Sequence, residues 1–244
     1  MRRDTPEHSS RDFETELREL TAQVLAMGAR CERIVGLAFA GFRQGTPDVL
    51  QESVTLDAQI DRDEVEIHAL ILRILALRQP VAHDLRFLAA ALRLITDLER
   101  IGDEGVNIAQ RAVPDEDAEA KGVVQEDLAM MAAAALDMLH LALDAFVRQE
   151  DHQAEGILAR DDEVDRRCAQ VIDAMTAWMS EHSSEVESGF RAICVAKYLE
   201  RIADHATNIA EEAIFVVRGD DVRHGAWQLG HPGSSGEDHP TGVL

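Results

Sequence analysis

Glu99, Asp103 and Asn107 stand four residues apart, and the same three types return as Glu200, Asp204 and Asn208. On a helix a four-residue step keeps side chains on one face, drifting by about 40° per step. Carboxylates and a carboxamide stacked in this way are hard oxygen donors, suited to Mg²⁺, Mn²⁺ or iron, and Zn²⁺ also accepts carboxylates. A second acidic pair, Asp57 and Asp61, precedes the first set, and it returns as Asp161 and Asp165. Facing helices of a bundle are a common place to build such sites. The expectation is therefore two pseudo-equivalent metal sites. One comprises Asp57, Asp61, Glu99, Asp103 and Asn107; the other comprises Asp161, Asp165, Glu200, Asp204 and Asn208.

The competing reading is a solvated acidic face partly tied by Arg100 and Arg201. Two features favour metal. The set is duplicated, and each copy interrupts an apolar stripe: Leu85, Leu88, Leu92 and Ile95 lead into the first, Ile193 and Ala196 into the second. Like charges four residues apart repel, and partly buried carboxylates are costly without a neutralising partner.

Other titratable residues carry less. Glu64 and His68 extend the Asp57/Asp61 stripe, but their repeat counterparts are Cys168 and Ile172, so the duplication does not support them as ligands. His205 follows Asp204 where Glu104 follows Asp103, which reads as a surface or rim position. Arg86, Arg93 and Arg100 are seven apart and are expected in intramolecular salt bridges. Met130, Met131 and Met138 read as core. There is no Walker A loop, GxSxG, HExxH, GxGxxG or helical ExxH element, so no catalytic residue and no enzyme activity is expected.

The elements that must position these residues are long helices. Apolar residues recur at three- and four-residue spacing over about 11–43, 47–78, 82–112, 121–149, 153–179 and 186–217. Gly45-Thr46-Pro47 reads as a turn with Thr46 as helix cap and Pro47 at the first helical position. The stretch Leu98–Ala109 (LERIGDEGVNIA) returns as Leu199–Ala210 (LERIADHATNIA), with eight of twelve positions identical at an offset of 101. The fold class is thus all-α, two tandem pseudo-repeated three-helix bundles. The first spans 1–113 and the second 121–218, joined by an acidic linker at 114–120 and followed by a Gly/His/Pro/Ser tail at 219–244 expected to be disordered.

Charge excludes whole classes of partner. Lys+Arg 24 against Asp+Glu 46 gives −22, most of it on the helices. Such a surface repels nucleic acid and anionic lipid. The N-terminus lacks the apolar segment of a signal peptide, and the longest low-polarity run, 128–136, is about half a membrane span. Cys31, Cys168 and Cys194 are widely spaced and form no CxxC. A cytoplasmic protein with no direct membrane insertion is expected.

The paired LERIxDxxxNIA elements, the acidic second helices and the segment Arg78-Gln79-Pro80-Val81-Ala82-His83-Asp84-Leu85-Arg86 together resemble the PhoU family of phosphate-specific transport system accessory proteins. The match runs over about 15–218. The resemblance implies two three-helix bundles, a homodimer, and metal ions or clusters held by E(D)xxxD motifs, here Asp57, Asp61, Glu99 and Asp103, then Asp161, Asp165, Glu200 and Asp204. It also implies negative regulation of phosphate uptake and of the phosphate-starvation response, through the ATPase of the phosphate importer and a sensor histidine kinase. The second half lacks the RQPVAHDLR turn, which makes the first-half turn the better partner surface. Two functions stay open at this stage: a metal-braced regulatory adaptor, or a metal-dependent enzyme or metal store using the duplicated carboxylates.

Overall fold

The computed structural model describes residues 6–114, 119–219 and 222. Most of the expected linker (115–118) and most of the expected tail (220, 221 and 223–244) lie outside the described residues. Six α-helices follow in order: α1 (Pro6–Gln44), α2 (Val49–Arg78), α3 (Ala82–Ala109), α4 (Glu119–Arg148), α5 (Asp151–Glu181) and α6 (Val186–Arg218), with one 3₁₀ turn at Ser183–Glu185 before α6. Helices of 28 to 39 residues exceed the globular average about threefold, so burial along their whole length must hold them.

The bounds lie within a few residues of the sequence periodicity, the largest shift being at α1, which begins at Pro6 where the spacing places it at about 11. α2 begins at Val49 and not at Pro47: the Thr46 N–H is taken by the Gly41 carbonyl at 2.9 Å, so Thr46 closes α1 instead of capping α2. Gly45, at φ 64°, supplies the left-handed turn between them.

α2 packs on α1 and α3, and α5 packs on α4 and α6, so each repeat is a three-helix bundle. The bundles meet through α3 against α6 and α1 against α4. The four inner helices thus share one continuous apolar core, including Leu20, Ile34, Leu94 and Ile101 from the first repeat and Met138, Phe146, Val195 and Ile202 from the second. α2 and α5 lie on its flanks. Small residues permit the close inner contacts. A Cβ at Gly28 would fall 2.4 Å from Leu143 Cδ1, so α1 reaches α4 at this height only because position 28 has no side chain. In α4, which packs on α1, α5 and α6, residues 122–148 are long and apolar enough by composition to cross a membrane, a longer stretch than the sequence indicates. Half of its 18-residue apolar window is buried against the surrounding helices.

Candidate metal centre

The repeat motif on α3 and α6 serves two faces. One meets the flanking helix of its own bundle; the other meets the opposite bundle.

On the first face, Asp57 and Asp61 from α2 lie within electrostatic range of Glu99 and Asp103 from α3. Asp57 is raised from 3.8 to about 6 by burial first, then by Asp61 and Asp103. Glu99 is raised by burial, by Asp103, Glu64 and Asp61, and held back by Arg100. Asp103 is raised by burial, Asp61 and Glu104. Asp57 reaches the α3 backbone because residue 102 is glycine: a Cβ there would stand 3.0 Å from Asp57 Oδ1. That oxygen is buried and has no hydrogen-bond partner.

The second bundle repeats the arrangement. Asp161 is raised to about 6 by burial, Asp204 and Asp165, with Thr207 close enough to offset part of the effect. Neither Asp161 Oδ1 nor the Thr207 hydroxyl has a partner at hydrogen-bonding geometry. Asp165 is raised by burial and Glu200, Asp204 by burial, Asp165 and Glu200. Each quartet is therefore four mutually repelling oxygen donors around one orphaned buried carboxylate oxygen, chemistry that accepts a hard cation. The quartets are not preformed cages: among the described residues no three His, Cys, Asp or Glu side chains converge as a ready ligand group.

The asparagine side-chain nitrogens have carboxylate partners. Asn107 Nδ2 donates to Glu104 Oε2 at 3.0 Å, and Asn208 Nδ2 donates to Asp97 Oδ1 at 3.2 Å. Both carboxamide nitrogens thus bond to acids of the α3–α6 seam. That seam is antiparallel, and its acids are paired. Arg93 grips Glu212 through two bonds of 2.6 and 2.5 Å and lies 5.2 Å over the Phe215 ring. Arg201 donates to the buried Glu104 at 3.1 Å, and His205 Nδ1 meets Asp97 Oδ1 at 2.9 Å. His205, expected at the rim, is thus a partly buried seam residue. Of the three arginines expected in salt bridges, Arg93 makes one, while Arg86 donates to the Val216 carbonyl at 3.2 Å.

Sequence reasoning missed Lys197, which pairs with Glu200 three residues on, beside the buried Cys168. The signal was available, since an i, i+3 spacing brings opposite charges together. The first repeat has Thr96 there, and its hydroxyl donates to Glu64 Oε1 at 3.2 Å.

The two chain reversals also differ. At the first, Leu77, Val81 and Leu85 are exposed, and Gln79 (φ 49°) and Ala82 (φ 45°) hold left-handed backbone without being glycine. At the second, Glu185 is buried and accepts the Ala120 N–H at 2.9 Å and the Trp178 indole N–H at 3.4 Å.

The PhoU domain family model matches residues 24–112 and 128–213. The chain is similar to the phosphate-specific transport system accessory protein PhoU homolog of Pseudomonas putida, at 35% identity over 219 residues, covering 89% of this chain and 85% of that protein. It is also similar to the corresponding Caulobacter vibrioides protein, 33% identical over 216 residues, 88% of this chain and 94% of that protein. The fold is similar to the crystal structure of PhoU from Pseudomonas aeruginosa, with TM-score 0.81 and 33% identity, covering 85% of this chain and 100% of that one. It is also similar to the phosphate transport system regulatory protein PhoU from Streptococcus pneumoniae, with TM-score 0.79 and 25% identity, covering 86% and 99%.

Proposed function

This chain belongs to the PhoU family, and on that premise we propose that it is a non-enzymatic regulator of phosphate transport. It restrains phosphate uptake and the phosphate-starvation response as a homodimeric helical adaptor at the cytoplasmic face, between the importer's ATPase subunit and a sensor histidine kinase. The observation that carries this reading is coverage: relatives named as phosphate transport accessory proteins match nearly nine-tenths of the chain, through both repeats.

The quartets hold divalent or transition cations, with Asp57, Asp61, Glu99 and Asp103 serving one and Asp161, Asp165, Glu200 and Asp204 the other. A bound cation would supply charge neutralisation, bracing α2 on α3 and α5 on α6. Asn107 and Asn208 act at one remove, fixing the α3–α6 seam. The partner surface is the first reversal, where exposed Leu77, Val81 and Leu85 project from backbone that two non-glycine left-handed residues hold in shape. Such strain is retained where a surface has a task beyond folding.

Deletion of the gene should leave phosphate-responsive promoters active in high phosphate; normal repression in the deletion strain would sink the regulatory reading. Val81→Asp should give the same phenotype with the protein still folded. Metal content of protein purified without chelator should fall in Glu99→Ala/Glu200→Ala, and equal content in the two preparations would end the metal reading.

A further inference from the structure

The two quartets share four carboxylates but differ in what else reaches them. In the second, the Lys197 ammonium is paired with Glu200, and it also acts on Asp165 and Asp204, offsetting part of the rise that burial and the neighbouring carboxylates impose on both. Cys168, at 1% exposure, adjoins Glu200 from α5. In the first, the equivalent positions are Thr96 and Glu64, which bond to each other and bring no cation. Among the described residues no ion pair engages Asp57, Asp61, Glu99 or Asp103, and the nearby Arg100 only eases Glu99. The chain has two lysines, Lys121 and Lys197, so the placement of one of them in a carboxylate quartet is not a matter of abundance.

We propose that Lys197 is a built-in competitor for the second metal site, so that the two halves load in order: the first quartet takes a divalent cation at low concentration, the second only when the Lys197 ammonium is displaced from Glu200. This rests on the metal reading above and adds its regulation. A divalent ion entering the first quartet meets four carboxylates that no ion pair engages, with Arg100 acting on Glu99 alone. One entering the second must break an existing ion pair and tolerate a neighbouring positive charge, unless the side chain swings away. Lys197 is free to do so: its side chain is 45% exposed, and a flexible four-carbon stem carries the charge. The second site thereby reports on cation concentrations that leave the first already full.

The test is titration of the full, chelator-stripped chain with MnCl₂, free Mn²⁺ being read by electron paramagnetic resonance. Wild type should show two affinity classes, the tighter lost in Glu99→Ala and the weaker lost in Glu200→Ala. Lys197→Met should tighten the weaker class by about tenfold, the order expected for removing one half-exposed ion pair and one repulsion. Lys197→Arg, which keeps the charge, should leave the weaker class in place. Thr96→Lys should weaken the tighter class, carrying the device into the first half. Circular dichroism on each variant establishes that it is folded, and the reciprocal Thr96→Lys result decides the matter if Lys197→Met does not fold. A Lys197→Met isotherm that superposes on wild type, or a tighter class abolished by Glu200→Ala, would overturn the order of loading while leaving metal binding intact. No Mn²⁺ bound by wild type would overturn both the metal reading and this inference.

Discussion

Asp103 and Glu104 are neighbours on α3, yet their surroundings are opposite. One residue is about 100° around the helix, which turns Asp103 toward α2 and Glu104 toward α6. Glu104 is the more buried, at 8% exposure, and its two oxygens accept from Arg201 and Asn107. Asp103 is the more exposed residue, yet partial burial of its carboxyl first, and then the charges of Asp61 and Glu104, push it up. Burial alone therefore does not mark a carboxylate awaiting a ligand. The partner set does: seam acids have arginine or histidine opposite them, while quartet acids have mainly each other.

The largest expected effect tests the seam. Arg93→Ala would leave Glu212, whose side chain is 4% exposed, as a buried charge without its bidentate partner. Breaking a buried pair from one side costs about 3 kcal/mol or more, which chemical denaturation would read as a lower midpoint. A loss within about 0.5 kcal/mol would mean that Glu212 is solvated and the seam is no tighter than a surface pair.

Next comes the quartet. Saturating Mn²⁺ should stabilise wild type by about 2–3 kcal/mol per occupied site at a hundredfold excess over Kd. In Asp57→Asn/Asp161→Asn that gain should shrink to near zero. Equal gains in thermal scans of both proteins would place the cation elsewhere.

A third, smaller effect concerns pH without metal. Asp57 and Asp161 rise from 3.8 to about 6 in the folded chain. Between those pH values the native state binds more protons than the unfolded one. The stability these groups contribute is therefore present below about pH 4 and lost as pH rises through about 6. Metal-free Asp57→Asn/Asp161→Asn should melt at the same temperature as wild type near pH 4 and above it at pH 7.5. A gap that narrows as pH rises would contradict the assigned cause.

The smallest effect sharpens the comparison of the halves. Gly102→Ala copies Ala203 of the second repeat. Its Cβ would press on Asp57 Oδ1 at 3.0 Å and Ile60 Cδ1 at 3.1 Å, both ends of flexible side chains. Helix propensity favours alanine by up to about 1 kcal/mol, so denaturation should show a net gain below that figure. A clear loss would show that Asp57 cannot give way.

Much of this was legible in the residues. Six helices follow from apolar spacing, because the period of a buried stripe is a property of the chain itself. The eight acids of the quartets follow from a repeat with identical side chains at identical steps. Direction within a few tens of degrees is not legible there. Asn107 and Asn208 share a helical face with Glu99 and Glu200, but drift around the helix brings their carboxamide nitrogens to the seam acids Glu104 and Asp97. The spacing of Lys197 to Glu200 allows their ion pair, but only the packing of α5 on α6 sets that pair among the other carboxylates of the quartet.

The sequence by itself determined the helices, the repeat, the family and which acids accumulate, since local periodicity and side-chain type encode all of these. Only the tertiary structure decided which acids are neutralised. Pairing Glu104 with Arg201, Glu212 with Arg93 and Asp97 with His205 requires α3 and α6 to meet antiparallel across the two bundles. Charge partners more than 90 residues apart are set by how helices pack, and no local pattern in either helix carries that information.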